Sequence, residues 1–263
     1  VVTGAGSGIG RATALAFAER GAEVVAADLD AASARRTAEL ARLLGPDAHP
    51  YQVDVADAGA MEDFAKAVLH EHGVPDVLVN NAGIGMAGGF LDHTPDDWKR
   101  VLDVNLWGVV HGTRLFAARM AERGEGGHIV NTASAAAFTP SRTLPAYATS
   151  KAAVLMLSEC LRAELAGRGI GVTAICPGVV NTNITRTSRF VGRDDAAQER
   201  GRERAARAYA RRGYGPERVA EHVVRAVLRD RAVVPVTPEA RVGRVLSRLS
   251  PGVMRLLARL DLG

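Results

Sequence analysis

Tyr147 and Lys151 stand four residues apart in Tyr147-Ala148-Thr149-Ser150-Lys151, thirteen positions beyond Ser134. In a helical segment that spacing puts a phenol and an ammonium on one face, about one turn from each other. A free tyrosine has a pKa of about 10, so it is a poor base at neutral pH until a nearby positive charge favours the phenolate. Lys151 is positioned to supply that charge. Lowering the phenol by two units takes about 2.7 kcal/mol of differential interaction, within reach of one ammonium in a dry cleft. Taken alone, the pair also fits a half-buried tyrosine beside a lysine that reaches water. Its company decides between these readings.

The turn Thr3-Gly4-Ala5-Gly6-Ser7-Gly8-Ile9-Gly10 follows a strand-like start and precedes a helical stretch. Glycines there permit a tight turn and let backbone amides approach a pyrophosphate at a helix N-terminus. Asp28 closes the next strand, about twenty residues on, where a carboxylate accepts hydrogen bonds from adenosine ribose hydroxyls. A phosphate on that ribose meets like charge. No arginine or lysine lies within the turn or directly after Asp28, so NAD is favoured over NADP. Asp54, at the end of a third strand, either bonds an adenine amino group or caps the following helix. Asn80-Asn81-Ala82-Gly83 ends a fourth strand, with small residues against which a flat nucleoside fits and with Asn80 read as structural. Asn105 interrupts an apolar helix, where its amide competes with the backbone. Ser134 follows the strand His128 to Thr132, and Pro177 to Thr182 form a turn able to present backbone groups to a carboxamide.

Short apolar runs alternate with helical periodicity. Val24 to Ala27, Val77 to Val79, Ile129 to Val130 and Val172 to Cys176 read as buried strands; Arg11 to Arg20, Ala31 to Leu44, Ala58 to His72 and Asp96 to Arg123 read as helices. That alternation calls for a parallel sheet with helices on both faces, and ligands in such sheets bind at the carboxyl ends of the strands. No repeat or linker divides the chain, so residues 1–263 are expected to form a single domain.

With 263 residues and 47% hydrophobic content, the chain has enough apolar surface for a substantial core, which excludes disorder as its dominant state. No apolar run of spanning length and no signal-peptide pattern is visible, and a cytoplasmic location is expected. Cys160 and Cys176 read as small core residues. The histidines form no metal pattern: in His70-Glu71-His72 the imidazoles are two apart and point to different sides of a helix. No metal is expected.

The ordered set of motifs resembles the short-chain dehydrogenase/reductase family in its roughly 250-residue form, from Val1 to about Thr182. Thr3 to Gly10 matches the cofactor turn, Asn80 to Gly83 the Asn-Asn-Ala-Gly element, and Asn105, Ser134, Tyr147 and Lys151 the catalytic tetrad. The resemblance implies a doubly wound Rossmann fold with seven parallel strands. It implies an NAD-dependent enzyme interconverting a secondary alcohol and a ketone, with Tyr147 exchanging the proton and Lys151 lowering its pKa and holding the nicotinamide ribose. Ser134 orients the substrate oxygen, and Asn105 holds a water linking Lys151 to solvent. The cofactor is expected against Gly4, Ser7, Gly8, Ile9, Gly10, Asp28, Leu29, Asp54, Val55, Asn81, Ala82, Gly83, Tyr147, Lys151, Pro177, Gly178, Val180 and Thr182. A homodimer or homotetramer through the helices of Asn105 and Tyr147 is also implied. The alternative is a catalytically idle NAD-binding regulatory protein.

Basic charge concentrates late. Residues 183–213 hold nine arginines against four acids, and residues 231–263 six against two. The first of these segments corresponds to the family's substrate lid. Met86, Phe90, Phe138 and Leu144 are candidates for an apolar substrate pocket or for the core. Aromatic content of 5% offers no stacking platform for nucleic acid. Glu239 to Leu262 breaks at Ser250-Pro251-Gly252 and carries apolar stripes between arginines. This tail is expected to dock on the body or a second subunit in preference to an anionic membrane.

Overall fold

The computed structural model describes residues 1–192 and 194–259. Its central sheet has seven parallel strands: β1 Val2–Thr3, β2 Val24–Asp28, β3 Ala48–Gln52, β4 Val77–Asn80, β5 Gly127–Thr132, β6 Ile170–Cys176 and β7 Val233–Pro235. Their spatial order is β3-β2-β1-β4-β5-β6-β7, so the winding reverses between β1 and β4. Loops on either side of that reversal diverge at the carboxyl edge and leave a crevice.

Among the described residues, the helices of seven residues or more that connect or flank the strands are α1 Gly8–Ala18, α2 Ala31–Arg42, α3 Ala58–His72, α4 Pro95–Leu102, α5 Gly108–Arg123, α6 Pro145–Leu165, α7 Asp195–Arg212, α8 Pro216–Leu228, α9 Pro238–Leu249 and α10 Pro251–Leu257. Both faces of the sheet are covered, and neighbouring strand residues separate accordingly. Val24, Ala26, Val79 and Val130 pack with Ala14 and Ala18 of α1 and Val219 and Val223 of α8. Val25, Ala27, Leu78 and Ile129 face the other way, onto Phe64 of α3 and Phe116 and Met120 of α5. Phe116 is fully buried, worth about 1.5–3 kcal/mol relative to an exposed side chain.

Helix starts follow local chemistry. Asp30 accepts from the Ala32 N–H and Asp57 from the Ala60 N–H, while Thr94 and Asp97 form a reciprocal capping box ahead of α4. Asp54 is therefore not the cap of α3. Its carboxylate accepts from the Ala56 N–H at 2.9 Å, shaping the turn one step earlier. The helical stretch expected over 96–123 is interrupted by a π-helical segment, Asp103–Trp107. Asn80 is structural: it donates to Thr113 and to Asn131, and Asn131 in turn donates to Ser158 of α6.

One core assignment needs correction. Cys176 is buried but Cys160 is exposed, because the inward stripe of α6 runs through Ser150, Lys151, Val154 and Ser158 and leaves position 160 off that face. Met86 belongs to a core cluster with Val101, Ala146 and Val191, whereas Phe90 is 63% exposed. A two-stranded ribbon, Met86–Ala87 with Arg189–Phe190, ties the start of the lid to the loop after β4. The tail breaks at Ser250 as expected; it turns Ala240, Gly243 and Met254 inward and leaves Val242, Val245, Leu249 and Leu256 exposed. Leu260, also assigned to its apolar stripe, lies outside the described residues. Among the described residues, no helix is long and apolar enough to cross a membrane.

Candidate active site

Ser134, Tyr147 and Lys151 come together at the carboxyl edge. Ser134 follows β5 and caps the single turn Ala135–Ala137, its Oγ accepting from the Ala136 N–H at 3.1 Å. Tyr147 sits in the first turn of α6, whose start is set by Pro145, and Lys151 follows one turn later. Lys151 is buried, with its Nζ donating to the Thr132 carbonyl at 2.7 Å and lying 5.9 Å from the centre of the Tyr147 ring.

The electrostatics of the chain by itself run against the expected phenol activation. Burial pushes the Tyr147 phenol up to about 12; the Ser134 hydroxyl pulls the other way, and the charge of Tyr209 adds to the rise. Burial likewise pushes the Lys151 ammonium down to about 8. Both groups thus favour their neutral forms more than in water. A dry pocket strengthens any positive charge later brought beside the phenolate.

Asn105 lies in the π-helical segment and is fully buried. Its Oδ1 accepts from the Ile84 N–H at 2.8 Å, and its Nδ2 donates to the Ile84 carbonyl and to Ser150 Oγ, each at 3.1 Å. The amide therefore locks the loop after β4 against α6. Both of its hydrogens are committed, so a water bonded to this side chain has to donate to the second lone pair of Oδ1. A Cβ on Gly83 lies 3.2 Å from Oδ1 and 3.4 Å from Lys151 Nζ, so Asn105 and Lys151 flank the same glycine.

The glycine turn forms a cradle below this group. A Cβ on Gly10 meets the Gly4 carbonyl at 2.0 Å, which restricts the position to glycine, and Gly8 has φ of +52°. Ser7 is the N-cap of α1 but makes no side-chain bond to its first turn, which leaves the amides of Ile9 and its neighbours for an anion. Thr182 lies over Gly8, its Cβ 3.1 Å from a Cβ built there. Asp28 Oδ2 accepts from the Gly6 N–H at 2.8 Å and Oδ1 from the Asp30 N–H at 3.0 Å, fixing its carboxylate beside the turn. Leu29 is exposed next to it. Asn81 donates to the carbonyls of Thr3 and Gly4, and the Ala82 N–H donates to Thr3 Oγ1. The carbonyl of Val55 is bonded by the His111 ring. The Pro177 carbonyl accepts from the Ala135 N–H, and Val180 points into the core, so it offers only backbone to a ligand. This cradle, with a fixed carboxylate at one end and the Tyr147–Lys151 pair at the other, suits a dinucleotide.

Residues 1–190 match the short chain dehydrogenase family. The chain belongs to that family. Its relatives include "Probable oxidoreductase EphD" of Mycobacterium tuberculosis, 52% identical over 261 residues, which is 98% of this chain; the chain spans 44% of that relative's length. The 1-deoxy-11-beta-hydroxypentalenate dehydrogenase of Streptomyces exfoliatus is 40% identical over 188 residues, 71% of this chain and 68% of the relative. A short-chain dehydrogenase/reductase from Burkholderia phymatum, solved in complex with NAD, superposes with a TM-score of 0.85 at 32% identity, covering 98% of this chain and 94% of that one. The seven-stranded parallel sheet is thus the Rossmann-type fold of an oxidoreductase family.

In this member of the family, residues 183–213, the tail and α1 each bring to the site a side chain that local sequence patterns do not mark. Tyr209, in an otherwise charged and small-residue stretch of α7, is close enough to raise the pKa of Tyr147. Glu239, in the first turn of α9, accepts from the Val179 N–H at 2.8 Å and pairs with Arg212 at the end of α7. Arg11, one residue beyond Gly10, folds back so that its guanidinium donates to the Gly6 carbonyl and to Thr37. The turn therefore carries a cation after all, one committed to the turn's own carbonyl.

Proposed function

We propose that this chain is an NAD-dependent alcohol dehydrogenase or ketoreductase, interconverting a secondary alcohol and a ketone on an apolar substrate. The observation that carries the reading is the convergence of the Ser134 hydroxyl, the Tyr147 phenol and the Lys151 ammonium beside the glycine cradle. Gly4 to Gly10, Asp28, Asn81 to Gly83 and the turn from Pro177 to Thr182 would hold NAD, which supplies the hydride acceptor or donor. Tyr147 takes the carbinol proton in one direction and returns it in the other. Ser134 orients the substrate oxygen and steadies charge on it. Lys151, anchored by the Thr132 carbonyl, opposes the loss of the phenolate to reprotonation. The preference for NAD rests on the Asp28 carboxylate, held by two backbone amides beside the turn. Leu144, half-buried just before α6, supports an apolar substrate, whereas Phe138 packs against the core beside Ala133 and Val154. A panel of secondary alcohols and ketones, followed by NADH absorbance with NADP as control, tests the reading; bound NAD with no turnover across the panel favours an idle regulatory protein instead.

Association of two or four copies through α5 and α6 accompanies this reading. Trp107, just before α5, and Met156 of α6 are 51% and 65% exposed, large apolar side chains suited to a subunit contact. Light scattering in solution tests it, a monomer at micromolar concentration counting against it. The outward face of α9 and α10 is assigned to a subunit contact in preference to an anionic membrane; co-sedimentation with anionic vesicles, lost on removal of residues 239–263, reverses that preference.

A further inference from the structure

At the amino edge of the sheet, opposite the cradle, three side chains from three elements meet. Glu23 precedes β2, His49 is the second residue of β3, and His72 ends α3. His72 Nδ1 and His49 Nε2 lie 2.8 Å and 3.2 Å from the same oxygen, Glu23 Oε1. One ligand atom from each of the three residues falls within 4.8 Å of the others. Asp47 Oδ2 stands a further 3.4 Å from His49 Nε2.

The far side of His72 constrains what lies between these atoms. The Tyr51 hydroxyl donates to Glu71 Oε2 at 2.5 Å, so toward His72 Nε2, 2.9 Å away, it can only accept. A ring hydrogen on Nε2 satisfies that contact, and Nδ1 of a neutral ring so arranged presents a lone pair to a carboxylate oxygen. Two lone pairs at 2.8 Å repel, so a positive centre has to separate them: a second ring proton or a metal ion.

The donor set favours the metal. Tetrahedral zinc with bonds of about 2.0–2.1 Å places its ligand atoms roughly 3.3 Å apart; here the two imidazole nitrogens lie 2.8 and 3.2 Å from the Glu23 oxygen, and all three atoms fall within 4.8 Å of one another. Two imidazoles and a carboxylate suit zinc rather than calcium or magnesium, which take oxygen ligands. A metal-bound imidazole that donates its remaining N–H to an oxygen is the usual outer contact, and Tyr51 provides it. Three carboxylates, Glu23, Asp47 and Glu71, add a local field that attracts a dication.

We propose that Glu23, His49 and His72 bind a divalent transition metal, zinc first, with Asp47 or water completing the tetrahedron. The ion would cross-link β2, β3 and α3, away from Tyr147, so the inference is independent of the proposed activity. His70-Glu71-His72, taken by itself, hides the site: the second imidazole comes from His49, on a different element.

The test is equilibrium dialysis of metal-stripped protein against zinc chloride, with bound metal counted by plasma mass spectrometry. One zinc per chain is expected, with a rise in melting temperature of about 5 °C at a hundredfold excess over Kd. His49→Ala and His72→Ala lose both effects; His70→Ala keeps both. Zinc-edge X-ray absorption of the unmutated protein needs no variant to fold, and is expected to show imidazole nitrogen and oxygen scattering. Absence of stoichiometric zinc, uptake unchanged in His72→Ala, or sulfur scattering from Cys160 overturns the assignment.

Discussion

Glu239 accepts the backbone N–H of Val179 at 2.8 Å across 60 positions of sequence. The same carboxylate pairs with Arg212, so one side chain from the tail joins the turn after β6 to the end of the lid helix. A charged acceptor for a partly buried amide is worth about 1.5–3 kcal/mol, whereas the Arg212 pair, a third exposed on both sides, adds little. Glu239→Ala is expected to destabilise the fold by about 2 kcal/mol and to raise KM for NAD severalfold, and Glu239→Gln to recover most of both. Urea denaturation and steady-state kinetics measure the pair; equal losses in the two variants refute a hydrogen-bonding role.

Glu239 also sets a pH limit. Burial, the largest single influence, raises its carboxyl, but the bonds from the Val179 N–H, its own N–H and Thr237, with the charge of Arg212, together outweigh it, and the pKa ends below its usual value of 4.5. A depressed acid contributes stability that is present above the unfolded pKa and lost as pH falls through the folded one. Lid anchoring should therefore persist at pH 5 and weaken progressively below about 4.5, read as increased proteolysis within residues 183–213. The Glu239→Gln variant should show no such step.

Buried Lys151 gives a slope of the same sign in the alkaline range. Its pKa falls from 10.5 unfolded to about 8 folded through burial, so between those values the unfolded chain binds more protons and stability rises with pH. The ceiling is about 3 kcal/mol. Tyr147, raised by burial from 10 to about 12, has the reverse sign: above pH 10 the unfolded chain ionises first and stability falls. Lys151→Met is expected to flatten the rise between pH 8 and 10 relative to the unmutated protein. Chemical denaturation at four pH values decides it, and parallel curves for both proteins rule it out.

Much of this was legible because the signals are local. The glycine turn, the strand runs and the Tyr147–Lys151 spacing each lie within a few residues, where periodicity and steric rules act directly. The break at Ser250-Pro251-Gly252 was legible for the same reason. Contacts that depend on which loops the sheet brings together were not: Glu239 reaches Val179, Tyr209 reaches Tyr147, and His49 reaches His72 only after the strands are ordered. Cys160 was misread because composition marks a helix as apolar without fixing which face turns inward. The direction of the Tyr147 shift depends on how dry the pocket is, and a spacing of four residues carries no information about that.

Cofactor choice can be tested at Asp28. Its two carboxylate oxygens take the Gly6 and Asp30 amides, which fixes a negative charge beside the turn, where the proposed binding of NAD puts the adenosine ribose. Asp28→Asn keeps an acceptor for Gly6 but removes the charge, and Arg11 already stands on the Gly6 carbonyl, able to meet a phosphate. The ratio of kcat/KM for NADP to that for NAD should rise at least about tenfold, equivalent to about 1.4 kcal/mol. An unchanged ratio would mean that Asp28 does not set the preference.

Tyr147→Phe isolates the proton transfer. In the proposed function the phenol exchanges a proton with a substrate oxygen, and phenylalanine preserves the packing while removing the hydroxyl beside Ser134. Turnover is expected to fall to background, while NAD affinity, measured by calorimetry, changes less than about threefold, roughly 0.7 kcal/mol. Ser134→Ala should retain weak activity, reduced about 10²–10³-fold, the loss seen when one oxyanion donor is removed. Retained turnover in Tyr147→Phe transfers the acid–base role to another group, and Tyr209, the phenol nearest to it on the lid, is the first to substitute next.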